Sequence, residues 1–458
     1  KNKAWPLHFV NSGVPHAVVV VDDLAAIDVP ALGSFIRRHA LFALAGLGVS
    51  IDFMSGRAYA AADGALARKK VIVVICRGGM DGLSVSPPVG DADYQGLRRN
   101  IALAGFGEAG GALPLDATFG LHPALASVHR LARAGQARIA PAIATPDRAR
   151  SHFEAQDVLE SGGSVVYGTA SGWLNRALEA LGPESRVSAL SMGTTAPLIL
   201  RGKVQAASWS PGGQQEKDTR LPGILQDLYA NDALLGPALA SGLATEAMAQ
   251  NAMTAPSAPP QGGDMMDAQM DAQMNAGGEA LRPVLRQGLP QARSLGTTLA
   301  GFMTQDGGPQ VAAVSIDGFD THANQGAAQG QLATRLAYLD AFLDGVAKGL
   351  GPGWNDTVLM VTTEFGRTAK ANGTGGTDHG TASTALVMGG ALKPGGIIGD
   401  WPGLAQTSLF ENRDTRPTLD MRGLFKGVLA AHMGVDRRAL DTLVFPDSAA
   451  IAPVPGLV

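Results

Sequence analysis

Val71-Ile72-Val73-Val74-Ile75-Cys76 constrains the fold more than any other stretch of this 458-residue chain. A continuous β-branched run, bounded by charge on one side and by Gly78-Gly79 on the other, reads as a strand buried on both faces. Such a strand belongs at the centre of a sheet. The segments after it alternate: a helix over 123–135 with a Gly stop, a strand over 137–143, helices over 152–160 and 173–181, and a strand over 187–192. The cleanest helix is 331–350, where Leu332, Leu336, Leu339, Leu343, Val346 and Leu350 form one apolar stripe. It lies between strands predicted at 311–316 and 357–363, as a right-handed βαβ unit. A further strand is expected over 381–388 and a closing helix over 417–433, stopped by Gly434. Strands alternating with helices predict an α/β fold with a mostly parallel sheet sandwiched by helices.

Residues 1–60 read as an export region outside the mature fold. Arg37-Arg38 precede the mildly apolar run Leu41 to Val49 and then Ala58-Tyr59-Ala60, the layout of a twin-arginine signal cleaved after about Ala60. The apolar run is too short to span a bilayer, so no stable membrane anchor is expected. The twin-arginine translocon is the expected partner, and the periplasm or the medium the destination. The chain starts at Lys1 rather than Met, from which an over-extended or truncated start and a mature protein of roughly 61–458 are inferred.

The core is expected in two parts, 61–192 and 301–458, separated by a variable cap or insert over 193–300. Within the insert, 245–278 turns to Pro, Gln, Ala and Met, and Met-Asp-Ala-Gln occurs at 266–269 and again at 270–273. This low-complexity stretch reads as a disordered or cap insertion in preference to a soft-metal trap. Lys and Arg number 36 against 40 Asp and Glu, a net charge of −4. That balance excludes a general polyanion binder, so no nucleic-acid partner is expected. The single cysteine, Cys76, excludes an internal disulfide framework and a cysteine-based zinc ribbon.

Four polar segments fall at strand ends, where α/β sheets place their sites. Arg77-Gly78-Gly79-Met80-Asp81-Gly82 offers Asp81 as a hard oxygen ligand, or a plain turn. Asp147-Arg148-Ala149-Arg150-Ser151-His152 opens a helix. Ser151 there suits an N-cap and also a nucleophile, because terminal amides stabilise developing negative charge; Arg148 and Arg150 add to an anion site. Asp317-Gly318-Phe319-Asp320-Thr321-His322 puts two carboxylates and an imidazole within six positions, hard to explain as core packing. Thr363-Glu364-Phe365-Gly366-Arg367 follows the next strand, and Gly376-Thr377-Asp378-His379-Gly380 precedes the last. His152, His322 and His379 fall in these segments; His129 and His432 lie in predicted helices, and His122 is open to either reading.

The ordered set Arg-Gly-Gly-Met-Asp-Gly at 77–82, Phe-Gly-Leu-His-Pro at 119–123, Ser-His-Phe-Glu-Ala-Gln-Asp at 151–157, Asp-Thr-His at 320–322, Glu-Phe-Gly-Arg-Thr at 364–368 and Asp-His-Gly at 378–380 resembles the bacterial exported family called domain of unknown function 1501. That family is grouped with the alkaline-phosphatase-like superfamily, which includes sulfatases and cofactor-independent phosphoglycerate mutases. The likeness covers nearly all of 61–458. It implies an alkaline-phosphatase-like fold whose site has an Asp after the first strand, a nucleophile at a helix start, an Asp and a His after a later strand, an acidic residue after the next, and a final His. The matching positions are Asp81, Ser151, Asp320 with His322, Glu364, and His379 with Asp378 beside it.

Three departures stand out. Glu364-Phe365 occupies the usual place of an Asp-His pair, removing one nitrogen ligand; Asp320-x-His322 is shorter than the usual Asp-x-x-x-His, which makes Asp317 an alternative ligand; and Ser151 lies far from Asp81, so Ser84 and Ser86 compete as nucleophile. An oxygen-rich second site favours Mg²⁺, Mn²⁺ or Ca²⁺ over Zn²⁺. The implied function is exported hydrolysis of phosphate or sulfate esters, on a small-molecule or polymer substrate. One or two divalent ions (Mn, Zn, Mg or Ca) would sit on Asp81, Asp320 or Asp317, His322, Glu364, Asp378 and His379. Ser151 would attack, Arg150 or Arg77 would steady the non-bridging oxygens, and His152 would protonate the leaving group. The rival is an exported metal-binding or assembly protein without catalysis.

Overall fold

The computed structural model describes residues 65–182, 187–192, 197–209 and 282–458, with the short pieces 7–11, 15–19, 49–51, 240, 244–245 and 248. The Val71 run forms β1 (Lys70–Arg77), and every residue from Val71 to Cys76 is completely buried. The strands of the same sheet that follow in the chain are β2 (Ala137–Ala144), β3 (Ala189–Met192), β4 (Ala206–Trp209), β5 (Val311–Asp317), β6 (Thr357–Thr362), β7 (Ser383–Met388) and β8 (Leu419–Asp420). Across the sheet they lie in the order β8-β2-β7-β6-β1-β5-β3-β4, with Val49–Ile51 paired at the β4 edge. Thus β1 is central.

Alternation along β1 sends its side chains into two separate cores. Ile72, Val74 and Cys76 join a core with α1 (Ala126–Arg133), α4 (Arg282–Thr304) and α5 (Gln331–Leu350). Val71, Val73 and Ile75 join the opposite core with α2 (His152–Ser161), α3 (Trp173–Leu181) and α6 (Met421–Val428). The sheet is therefore sandwiched by helices, as expected. The α5 stripe, Leu332 to Leu350, is at most 2% exposed throughout, so each of its side chains contributes about 1.5–3 kcal/mol of burial.

The sheet is mostly parallel, with one informative exception. β7 runs antiparallel to both β6 and β2. No helix lies between Thr362 and Ser383, and a parallel return to a neighbouring strand needs a crossover of a dozen or more residues, usually helical. β5 and β6 are each parallel to β1, which lies between them, so the α5 crossover skips one strand.

Two helices begin later than the pattern predicts. α1 starts at Ala126, where the backbone N–H groups of Ser127 and Val128 donate to the Asp340 carboxylate at 3.1 and 3.0 Å. α6 starts at Met421, because Leu419–Asp420 pairs with β2 and the Asp420 side chain caps the helix at Arg422 N. Two stretches inside the range read as an insert belong to the core: Ala206–Trp209 is a sheet strand, and α4 packs along α5. The low-complexity stretch, apart from Thr245 and Met248, lies outside the described residues, as does most of the expected export region. Among the described residues no helix is long and apolar enough to cross a membrane.

Candidate metal centre

Parallel strands deliver their following loops to one edge of a sheet. The loops after β1, β2, β5 and β6 converge there. The antiparallel β7 adds the loop that precedes it, which brings His379 to the same edge. Strand register sets the first contacts: Thr362 lies opposite Ile75, so the next residues reach the end of β1, where Thr363 Oγ1 donates to the Cys76 carbonyl at 2.7 Å and Gly78 N donates to Glu364 Oε1 at 2.8 Å. Gly78 has φ +113°, and a Cβ there would stand 2.5 Å from the backbone nitrogen of Asp320. Only glycine lets the β1 and β5 loops approach this closely.

His152, Asp320 and His379 each present a ligand atom within 4.8 Å of the others, the one such group among the described residues. His322 joins them, with its Nε2 3.0 Å from His379 Nε2 and 3.0 Å from Asp320 Oδ1. His379 Nε2 lies 3.3 Å from the same oxygen, and His152 Nε2 lies 3.5 Å from Asp320 Oδ2. The Nδ1 atoms find partners outside the cluster. His379 Nδ1 is 2.9 Å from the Arg150 carbonyl, His152 Nδ1 is 3.0 Å from Glu364 Oε1, and His322 Nδ1 is 3.4 Å from Asp378 Oδ1. All of these are acceptors, so a proton on Nδ1 of each ring is satisfied there, and the three Nε2 atoms are turned toward Asp320.

The electrostatics differ from ring to ring. Burial pushes His379 below the ordinary histidine value, which keeps the ring neutral. The hydrogen bond to Glu364 raises His152. Burial works to raise Glu364, but donation from His152, Gly78 and Gln156 outweighs it and holds the carboxylate low. Asp320 follows the same pattern: burial raises it, and the Arg367 guanidinium more than compensates. Arg367 is 1% exposed and spends its donors on Asp320, on the carbonyls of Gly78, Gly79 and Phe319, and on Thr377 O at 3.0 Å. Asp378 is held low by Asn372 and then by His322. Phe365 packs its ring against those of His152 and His379, centroids 4.9 and 4.6 Å apart.

The donor set fits a divalent ion. Ligand atoms 2.0–2.1 Å from one tetrahedral ion stand roughly 3.3 Å apart; His322 Nε2, His379 Nε2 and Asp320 Oδ1 stand 3.0, 3.0 and 3.3 Å from one another, and His152 Nε2 lies 3.5 Å from the second Asp320 oxygen. Three imidazoles and one carboxylate favour Zn²⁺ over the oxygen-preferring Mg²⁺, Mn²⁺ and Ca²⁺.

The structure redistributes the residues singled out from sequence. His152 lies inside the cluster as a convergent nitrogen, whereas Glu364 and Asp378 grip imidazole rings from outside. Asp81 is drawn away from the cluster, because its carboxylate is 1% exposed and taken up by Arg98, Ser84 and Gln325. Asp317 is exposed at the end of β5 and is not part of the clustered group. Arg77 turns to Glu160 at 2.5 Å and Ser315 at 3.2 Å. Arg150 turns to Asp414 at 2.9 Å and Glu411 at 2.5 Å, so neither guanidinium is aimed at an incoming ester, since a buried carboxylate claims each first. Ser151 occupies the N-cap position of α2, but its hydroxyl makes no capping bond. Ser84 and Ser86 are buried and bonded to Asp81 and Thr384. Sequence reasoning passed over Arg367, Gln156 and Gln325. Gln156 had a readable signal, since it lies four residues after His152 on one helical face.

A sequence model of the family described as "Protein of unknown function (DUF1501)" matches residues 118–444. The chain belongs to this family. No curated protein matches this DUF1501 member in sequence. Solved structures similar to it include the C-terminal periplasmic domain of EcEptC from Escherichia coli in complex with Zn, at TM-score 0.30 and 7% identity over 73% of this chain and 77% of that one. A second is the lipoteichoic acid synthase LtaP from Listeria monocytogenes, at TM-score 0.32 and 9% identity over 78% and 74%. A third is Ps i-CgsB, at TM-score 0.31 and 11% identity over 83% and 76%.

Proposed function

We propose that this DUF1501 member is an exported, metal-dependent hydrolase of phosphate or sulfate esters on an alkaline-phosphatase-like plan. The observation that carries the reading is the convergence of the Nε2 atoms of His152, His322 and His379 on Asp320. These residues would hold one divalent cation, which when bound supplies a Lewis acid for a phosphoryl or sulfuryl oxygen. Glu364, Asp378 and the Arg150 carbonyl fix the rings from behind, the arrangement that orients metal-binding histidines and raises their basicity. Arg367 holds Asp320 ionised.

Ser151 is the nucleophile in this reading. It sits at the N-terminus of α2, directly before His152, with its hydroxyl unspent on capping. The free N–H groups of the first turn of α2 would face the charge that develops during attack. Ser84 and Ser86 are enclosed and cannot serve without rearrangement. Export through the twin-arginine translocon to the periplasm or medium rests on Arg37-Arg38 and the small-x-small site after them.

One observation favours a second reading, a non-catalytic metal protein. Three histidines and an aspartate can fill all four positions of a tetrahedral ion, which is the habit of structural sites. Against it, the Asp320 and His322 side chains are 44% and 47% exposed, so one side of the cluster is open to a ligand. The deciding test is turnover of aryl phosphates and sulfates by the Zn²⁺- or Mn²⁺-loaded chain. Metal-dependent turnover lost in Ser151→Ala, with metal content unchanged, supports the hydrolase; stoichiometric metal with no turnover of any ester supports the binding protein.

A further inference from the structure

We propose that Arg150 is a positioning residue for His379, acting through its backbone carbonyl, and that Asp414 holds it in place; this rests on the metal-centre reading above. His379 Nδ1 stands 2.9 Å from the Arg150 carbonyl. A carbonyl only accepts, so the ring meets it with an Nδ1–H and turns Nε2 toward Asp320 Oδ1, 3.3 Å away. The direction of that carbonyl therefore sets the tilt of the imidazole. Arg150 also lies two residues before His152, the first residue of α2, whose ring meets that of His379 edge-on with centroids 4.5 Å apart. One backbone turn thus serves two of the four clustered side chains.

That turn is strained. Arg150 adopts φ +58°, in the left-handed region that glycine enters freely and a long side chain rarely does. Such a conformation persists only where its surroundings over-determine it. Here the side chain supplies the hold. Arg150 Nε donates to Asp414 Oδ2 at 2.9 Å, and Nη2 donates to Glu411 at 2.5 Å. Asp414 is well fixed: it is fully buried, its backbone N–H and carbonyl both pair with Phe410, and Arg413 Nη1 donates to its Oδ1 at 3.1 Å. The oxygen that takes Arg150 also accepts from Thr381 Oγ1 at 2.8 Å, two residues beyond His379. A single carboxylate oxygen thereby fastens the loop that supplies the carbonyl to the loop that supplies the ring. Glycine would relieve the strain and lose this tie. The arginine accepts the strain and keeps the tie, which a role in orientation explains and closure of a turn alone does not.

The test is the Zn²⁺ affinity of the full chain by competition with a chelator, beside the visible spectrum of the Co²⁺-loaded protein, which reports ligand geometry. Arg150→Ala removes the tie and cannot take the left-handed turn without strain. Affinity is expected to fall by about 10–100-fold, the range for partners behind a metal-binding histidine, and the spectrum to change. Arg150→Gly removes the same guanidinium but enters the turn freely, and is expected to recover part of the lost affinity together with the wild-type spectrum. Asp414→Ala keeps the arginine and loosens its hold. A weaker affinity is expected there, with no additional loss when it is combined with Arg150→Gly, because the two act along one path. Should Arg150→Ala not fold, that comparison alone decides. Equal losses in the alanine and glycine variants would mean that the guanidinium matters rather than the carbonyl. That result, wild-type affinity in Arg150→Ala, or additive losses in the combined variant each overturns the positioning role and leaves the metal centre standing. A wild-type chain that binds neither Zn²⁺ nor Co²⁺ removes the metal reading, and the positioning role goes with it.

Discussion

Two carboxylates of this chain meet fully buried arginines on neighbouring loops, and they differ in what else reaches them. Asp81 is 1% exposed, and the oxygen that Arg98 grips also accepts from Ser84 at 2.9 Å and Gln325 at 2.7 Å. Every donor around it is a protein group with nowhere else to turn. Asp320 is gripped by Arg367, yet its side chain is 44% exposed and its oxygens face the Nε2 atoms of three imidazoles. The histidines of the two regions differ in the same way. His122 receives the N–H of Ala124 on Nδ1 at 3.0 Å and gives Nε2–H to the Ala327 carbonyl at 3.0 Å, so both nitrogens are spent. His152, His322 and His379 instead spend Nδ1 on groups behind them and turn Nε2 toward Asp320, whose side chain is half open to solvent. A closed ionic network fastens loops together, whereas an open one that gathers three imidazoles around a half-exposed carboxylate is accessible to a ligand.

The largest effect that would break this comparison comes from emptying the open region. Asp320→Ala/His379→Ala removes two of the four donors, and loss of stoichiometric Zn²⁺ or Mn²⁺ by elemental analysis is expected, with ester turnover down by about a thousandfold or more. Full metal content in the purified double variant would mean that the cluster is not the binding site. The matching cut in the closed region is Asp81→Ala, which strands the Arg98 guanidinium in the interior. Breaking one partner out of a buried pair costs about 3–5 kcal/mol, so chemical denaturation should show a drop of that size. The fraction that stays folded should still take up metal; if it does not, Asp81 serves the centre after all.

How much of this was legible beforehand follows from the same contrast. Periodicity and β-branching located β1, α2, α3, α5 and most other elements within a few residues, because burial on one or both faces is written locally. Loop motifs found the right segments but not the division of labour within them. Asp81 and Asp320 both follow glycine-rich strand ends, and only the packing shows that Arg98, seventeen positions from Asp81, claims the first. His152 read as a proton donor because its partner Glu364 lies 212 positions away. The direction of β7 matters most. A parallel strand there would carry the loop before it to the far edge of the sheet, so placing His379 at the site requires the antiparallel turn that an alternating pattern does not announce.

A smaller effect separates the regions by pH. Burial pushes His122 down to about 4, from an ordinary value of 6.5. The unfolded chain therefore takes a proton between those values that the folded chain refuses. The stability that depends on neutral His122 is complete above pH 6.5 and is lost as pH falls toward 4, by about 3 kcal/mol over the window. His122→Gln can accept from Ala124 and donate to Ala327 without titrating. Urea denaturation of wild type and variant from pH 4 to 7.5 should show the wild type losing more stability toward acid; parallel curves would remove His122 from the account.

The smallest expected effect tests whether charge or shape matters behind the open centre. Glu364 Oε1 accepts from Gly78 N, His152 Nδ1 and Gln156 Nε2, and Oε2 lies 3.0 Å from Thr363 Oγ1, whose one proton it shares with the Cys76 carbonyl. In Glu364→Gln the amide oxygen can keep the first three bonds, and the amide nitrogen can donate to Thr363 Oγ1, so the scaffold around β1 and β6 survives. What vanishes is the negative charge that makes His152 a stronger base. Outer carboxylates of this kind are worth about 10–100-fold in metal affinity, and competition with a chelator should show a weakening in that range at unchanged stoichiometry. The isosteric change in the closed region, Asp81→Asn, should lower stability and leave metal affinity where it was. If the two substitutions exchanged their consequences, the closed network would be the metal centre and the open one a fastening.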